Sequence, residues 1–119
     1  MAHKCDAIVV TCMDFRIQKY VQDWISKNLA GKTYDLIGYA GATKELDLVM
    51  EQISLSKDLH HINQAVLIHH EDCGAYGAED SYERHVQDLN KAKNRILAKY
   101  PDLQVDLYYL YLSGKFEKI

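Results

Sequence analysis

Residues 66–75 read VLIHHEDCGA, an apolar run that ends abruptly in a histidine and a cysteine. His70 and Cys73 have the spacing H-x-x-C, and the turn at which a strand ends can direct both side chains at one ion. Nitrogen and sulfur ligands at this spacing favour zinc. Two ligands do not complete a site, so another segment of the chain must contribute.

A second apolar run, residues 7–10, leads into residues 11–16, which read TCMDFR. This segment supplies a cysteine, a carboxylate and a guanidinium, namely Cys12, Asp14 and Arg16. A cysteine at a strand end is more often inert core than a metal ligand. Because this cysteine shares its segment with two charged side chains and the chain also contains an H-x-x-C motif, we take Cys12 as the candidate third ligand.

Together the two segments resemble the zinc-site signature of the β-class carbonic anhydrases, with C-x-D-x-R at residues 12–16 and H-x-x-C-G at residues 70–74. The resemblance implies that Cys12, His70 and Cys73 bind one Zn²⁺ ion. It also implies an enzyme, a carbonic-anhydrase-like zinc lyase (carbonate dehydratase). Such an enzyme hydrates carbon dioxide reversibly to bicarbonate by means of a zinc-bound hydroxide.

The same resemblance makes Asp14 and Arg16 a catalytic dyad, in which the arginine grips the aspartate and the aspartate orients the hydroxide. In the family the aspartate can also bind zinc when its arginine contact breaks, so Asp14 is a candidate fourth ligand. The residues alone leave another interpretation open, a surface salt bridge worth under ~1 kcal/mol.

Apolar runs alternate along the chain with segments of helical spacing. The predicted strands are residues 6–11, 33–39, 64–69 and 103–112, and the predicted helices are residues 15–30, 44–59 and 79–99. Thr43 is expected to cap the second helix, and residues 115–119 are expected to form a tail. This alternation predicts a single α/β domain over residues 1–119, with a mainly parallel four-stranded sheet flanked by helices, like that of the β-carbonic anhydrases.

The predicted topology brings the two motifs together. Right-handed crossovers place the carboxyl ends of parallel strands on one edge of the sheet, where ligands bind in open α/β folds. If the first and third strands are neighbours, as the family's fold implies, their ends lie ~5 Å apart. Cys12 and Cys73 are therefore expected to lie close together at the open carboxyl edge of the sheet, within a single zinc-binding domain.

Composition excludes several classes of protein. The 119 residues carry a net charge of -3, with 48% hydrophobic and 26% charged residues, which argues against disorder and against a nucleic-acid-binding stripe. The sequence shows no membrane-length apolar run and no export signal. Three cysteines, an odd number, argue against a disulfide framework. We expect a cytoplasmic protein without nucleic-acid or membrane partners.

The short chain is expected to work as a homodimer or a higher homo-oligomer. An open sheet edge needs walls that exclude water, and tyrosines in the second and fourth strand regions are of a type enriched at interfaces. These are Tyr39, Tyr108, Tyr109 and Tyr111. Packing within the chain is the alternative role for them. Members of the resembled family are dimers, which favours the oligomer.

Three departures from the family bear on activity. Phe15 occupies a position where a small residue is usual, Gly38-Tyr39 replaces a common Arg-Asn pair, and the N-terminal helical arm of larger members is absent. The departures at Phe15 and Tyr39 favour an alternative function, a zinc-binding relative without turnover that acts as a sensor or assembly protein. A hydrolase of a linear substrate similar to carbon dioxide is a further variant. A metal-free flavodoxin-like binding module is disfavoured because the first loop lacks a phosphate cradle.

Overall fold

The computed structural model describes residues 3–119, which form a single α/β domain around a five-stranded sheet of order β2-β1-β3-β4-β5. The first four strands are parallel, and the fifth runs antiparallel to the fourth. The predicted fold class is thus confirmed. The elements are β1 (Ala7–Thr11), α1 (Gln18–Asn28), β2 (Tyr34–Gly38), α2 (Leu46–His60), β3 (Gln64–His70), a 3-10 turn (Gly77–Glu79), α3 (Tyr82–Lys99), β4 (Gln104–Leu110) and β5 (Phe116–Lys118).

The two strands that lead to the site are the most deeply buried. Every residue of β1 is buried, and in β3 only the first residue is partly exposed. Val9 pairs with Val66 and Val10 with Leu67 across the parallel ladder. Strands covered on both faces carry continuous apolar runs instead of alternating ones, which explains the pattern of these segments.

Helices cover both faces of the sheet. On one face α1 packs Val21, Trp24 and Ile25 against the sheet. On the other face α2 and α3 bury apolar stripes, among them Ile53 and Ile96. Within residues 3–119, no helix combines the length and the apolar character that crossing a bilayer requires.

The loop before α2 differs from the prediction. The helix begins at Leu46, and its N-cap residue, Glu45, makes no capping hydrogen bond through its side chain. The expectation that Thr43 caps this helix is wrong. Thr43 is buried, and its hydroxyl lies 2.7 Å from Nε2 of His69. The turn before it, in which Ala42 has a φ of 54°, directs the threonine into the core and away from the helix end.

The fifth strand lies in the segment that the sequence analysis treated as a tail. Phe116–Lys118 pairs with β4, and the Phe116 ring packs against Trp24 with centroids 5.9 Å apart. The turn depends on Gly114, whose φ is 97° and where a Cβ would lie 2.7 Å from the Tyr20 ring. A strand of three residues is too short to show a hydrophobic period, so only the packing reveals it.

Two of the tyrosines that favoured an interface instead pack within the chain. Tyr109 is buried, and Tyr108 makes an edge contact with Trp24 at 5.0 Å between ring centroids. Tyr39 differs, because 38% of its surface is exposed. Tyr108 and Tyr109 therefore give no support to an oligomer, whereas the exposed surface around β2 still does.

Candidate metal centre

Cys12, His70 and Cys73 converge at the carboxyl edge of the sheet. Cys12 directly follows β1, His70 is the last residue of β3, and these two strands are hydrogen-bonded neighbours. All three side chains are buried, and their candidate ligand atoms lie within 4.8 Å of one another. The fold thus brings the three residues of the two sequence motifs together in a group that could hold a metal ion.

The two sulfur atoms lie at a separation that suits one ion. Their distance is 4.0 Å, and two thiolates bound to one tetrahedral zinc at ~2.3 Å would be roughly 3.8 Å apart. The shared hydrogen bond lowers the pKa of Cys12 and raises the pKa of Cys73. The N–H of Gly41 also points at Cys12 Sγ, at 3.4 Å. The pair therefore favours one thiolate, on Cys12.

His70 is oriented as a ligand. Its Nδ1–H donates to the carbonyl oxygen of Glu71 at 2.7 Å, which leaves the lone pair on Nε2. That Nε2 atom is buried, and no hydrogen-bond partner for it exists within residues 3–119. Burial disfavours a charge on the ring, but the contacts with Cys12, Glu71 and Asp14 outweigh it and raise the pKa of His70, so in acid a metal would have to displace a proton from Nε2.

A buried imidazole nitrogen without a partner is costly unless something binds it. Beside two cysteine sulfurs, the group most suited to it is a metal that accepts nitrogen and sulfur ligands, and zinc is the commonest. The residues present therefore fit a zinc ion. Three protein ligands would leave a fourth position open, as in catalytic zinc sites.

Asp14 and Arg16 form a two-point ion pair beside these residues. Arg16 Nη2 donates to Asp14 Oδ2 at 2.7 Å, and Arg16 Nε donates to Oδ1 at 3.1 Å. The hydrogen bonds from Arg16 lower the pKa of Asp14 to about 2, and the same pair raises the pKa of Arg16. Asp14 is therefore an ionised acceptor held in a fixed orientation.

Arg16 is also anchored to the loop that carries Cys73. Its Nη1 donates to the Asp72 carboxylate at 3.0 Å, and its Nη2 donates to the Asp72 carbonyl oxygen at 2.8 Å. Asp72 has a φ of 56°, an uncommon conformation for a residue with a side chain. The arginine thus ties the segment after β1 to the segment after β3.

Two contacts of the site were not predicted from the sequence. The side chain of Gln18 donates to the carbonyl oxygens of Cys12 and Asp14, at 3.1 and 2.8 Å. The carboxylate of Asp80 accepts a hydrogen bond from the N–H of Cys73 at 3.1 Å. Neither residue belongs to a motif, and only the folded backbone brings them to the site.

The bulky residue beside the dyad does not cover it. Phe15 is 86% exposed and Met13 is 64% exposed, so both side chains project outward from the loop that carries Asp14. The apolar surface at the mouth of the site is thus open to a partner or a substrate.

Comparison with known proteins gives a family and a fold. The sequence model of a family described as "Putative carbonic anhydrase" matches residues 2–119. A relative in Rickettsia bellii, described as "Uncharacterized protein", is 26% identical over 136 residues, covering 98% of this chain and 83% of the relative.

Solved structures show the same fold. A carbonic anhydrase from Streptococcus mutans superposes with a TM-score of 0.65 and 20% identity, covering 99% of this chain and 83% of that one. A structure of two tetrameric β-carbonic anhydrases from Sordaria macrospora matches with a TM-score of 0.61 and 11% identity, covering 99% of this chain and 82% of that one. At these identities the likeness shows the fold alone.

Proposed function

We propose, because the chain belongs to this carbonic anhydrase family, that residues 1–119 form one zinc-binding domain that catalyses the reversible hydration of carbon dioxide to bicarbonate. Cys12, His70 and Cys73 would be the zinc ligands, and Asp14 with Arg16 would be the catalytic dyad. A zinc ion held there would act as a Lewis acid that activates water.

One observation carries the proposal. The unpartnered Nε2 of His70 lies 3.9 Å from Asp14 Oδ2, and Asp14 is held by Arg16 at 2.7 Å. A candidate ligand, an ionised acceptor and the arginine that orients it therefore occupy one small volume. A purely structural zinc site would need no oriented carboxylate beside its ligands.

The chain's own residues would direct the reacting water. Asp14, kept ionised by Arg16, would accept a hydrogen bond from that water and turn a lone pair toward carbon dioxide. Arg16 would keep Asp14 away from the open coordination position. Asp72 supports this by holding Arg16 from the opposite side, at 3.0 Å.

We further propose that the partner is a second copy of the chain, bound at the β2 edge. β2 ends the sheet, and within residues 3–119 no strand pairs with its outer side, so this edge is a template for pairing with another chain. Beside it lies an apolar surface, the β2–α2 surface, formed by Leu36, Tyr39, Leu48, Leu55 and Leu59, which are between 38% and 61% exposed.

The function is tested by zinc analysis combined with stopped-flow kinetics. Purified protein should contain about one zinc per chain and should hydrate carbon dioxide above the uncatalysed rate. Protein that binds no zinc would refute the assignment of the site. Zinc-loaded protein without turnover would refute the enzyme and support a zinc-binding relative that has lost the reaction.

A further inference from the structure

We propose that Asp80 and His85 are positioning residues for the metal centre, acting through a buried chain of hydrogen bonds that includes His69 and Thr43. The inference rests on the proposed zinc site and goes beyond it, since neither Asp80 nor His85 belongs to the metal-ligand motifs.

The chain of contacts is continuous. Thr43 Oγ1 lies 2.7 Å from His69 Nε2, His69 Nδ1 lies 2.8 Å from His85 Nδ1, and His85 Nε2 lies 2.7 Å from Asp80 Oδ1. Both imidazoles are 1% exposed and Thr43 is 2% exposed. Water therefore has little access to these groups, and each must find its partner within the protein.

Only one arrangement of protons satisfies all of these contacts. The backbone N–H of Thr43 can only donate, and it points at His69 Nε2 at 3.3 Å, so that nitrogen accepts. An imidazole ring carries a proton on at least one of its two nitrogens, and on this ring Nε2 is the acceptor. That proton must be on Nδ1.

The remaining proton positions follow from this assignment. His69 Nδ1–H donates to His85 Nδ1, so His85 carries its proton on Nε2 and donates it to the Asp80 carboxylate. The backbone N–H at one end and the carboxylate at the other thus impose one direction on every bond. A network satisfied in a single way holds its members rigidly.

The hydrogen-bonded chain reaches both segments that supply the candidate ligands. Asp80 Oδ1 also accepts the N–H of Cys73 at 3.1 Å, and His69 precedes His70 on β3. Thr43 follows the turn at Gly41, whose N–H donates to Cys12 Sγ. The buried contacts therefore hold both cysteine loops against β3 before a metal binds, which reduces the ordering that binding requires.

Metal affinity provides the first test. Asp80→Ala should weaken zinc binding about 10–100-fold in competition with a chelator, as expected for loss of a partner that orients a metal ligand. Asp80→Asn retains an oxygen that accepts both N–H groups, so it should restore most of the affinity. In the cobalt(II)-substituted protein, the ligand-field bands should change in Asp80→Ala and return toward the parent spectrum in Asp80→Asn.

Asp35 offers a matched control, because its carboxylate also makes hydrogen bonds between two elements but lies in another part of the fold. Asp35 accepts from Ser56 at 2.6 Å and contacts His60 Nδ1 at 2.7 Å, between β2 and α2. Asp35→Ala should cost stability yet leave zinc affinity at the parent value. Equal weakening in Asp35→Ala and Asp80→Ala, or parental affinity in Asp80→Ala, would overturn the proposal. A parent protein that binds no zinc would instead refute the proposed function.

The proton arrangement is tested without any variant. Nitrogen-15 spectra of histidine-labelled, metal-free protein should show His69 protonated on Nδ1 and His85 protonated on Nε2. The opposite tautomer on either ring, or a doubly protonated His85, would overturn the single-direction chain. This measurement stands even if Asp80→Ala fails to fold.

Discussion

Asp14 Oδ2 lies 3.9 Å from Nε2 of His70, so the carboxylate that Arg16 holds is one small movement away from the candidate ligand group. In the proposed site, the position of Asp14 would therefore depend on a competition between the Arg16 guanidinium and the metal. The hydrogen bonds from Arg16 Nε and Nη2 hold this carboxylate and would keep it from binding the metal.

Arg16→Ala should retain zinc and lose turnover by about 100-fold or more, because Asp14 is freed to occupy the open position. Zinc content and stopped-flow hydration of carbon dioxide measure the two effects. Arg95→Ala is the control, since Arg95 also pairs with a carboxylate, that of Asp47, between α3 and α2. An Arg16→Ala protein with the parent rate would remove the dyad from the mechanism.

Replacing a proposed ligand should strip the metal. Cys73→Ala should lose zinc and unfold at a lower temperature than the parent, because binding energy at a protein metal site contributes to folding. Cys5→Ala serves as the control, since Cys5 is buried in the core cluster on the α2 and α3 side of the sheet. Elemental analysis that finds full zinc in Cys73→Ala would refute the ligand assignment.

Protonation of Asp14 in acid should lower the free energy of unfolding of the metal-free protein. Its folded-state pKa of about 2 is below the ordinary 3.8, so the stabilisation is fully present above 3.8 and is lost as the pH falls through about 2. The free energy of unfolding, measured in urea, should thus be larger for the parent than for Asp14→Asn at about pH 5, and the two values should converge near pH 2. A difference that stays constant over this range would contradict the assignment.

A second copy at the β2–α2 surface should give a dimer in sedimentation experiments at micromolar concentration. Leu55→Asp places a charge on this surface, where Leu55 is 51% exposed, and should shift the protein toward the monomer. Gln87→Asp adds the same charge to an exposed position of α3 and should not. If Leu55→Asp sediments like the parent, the contact surface lies elsewhere.

Alanine substitutions in the core should cost the most unfolding free energy where helices cover both faces of the sheet. Leu67→Ala should cost about 2–5 kcal/mol of unfolding free energy, because Leu67 is fully buried in β3. Leu59→Ala, at a position that is 61% exposed, should cost far less in the monomer. Denaturant titration of both variants checks the contrast.

The sequence by itself indicated four of the five strands, the three helices and the candidate ligands. The apolar runs before Cys12 and His70 lack alternation because their strands are covered on both faces, and that signal is local. Helical spacing likewise predicted all three helices, with ends within a few residues of those observed.

The expectation that Cys12 and Cys73 meet came from the fold of the resembled family, and only the tertiary structure decided the other contacts between distant groups. The separation of 4.0 Å between Cys12 and Cys73 depends on β1 and β3 being neighbours, and the contact of Arg16 with Asp72 depends on the turn after β3. Thr43 was predicted as a helix cap and instead contacts His69, because the preceding turn directs its side chain inward. Local patterns record periodicity and turn chemistry, whereas contacts between residues 61 positions apart arise from strand order and packing, which no short segment contains.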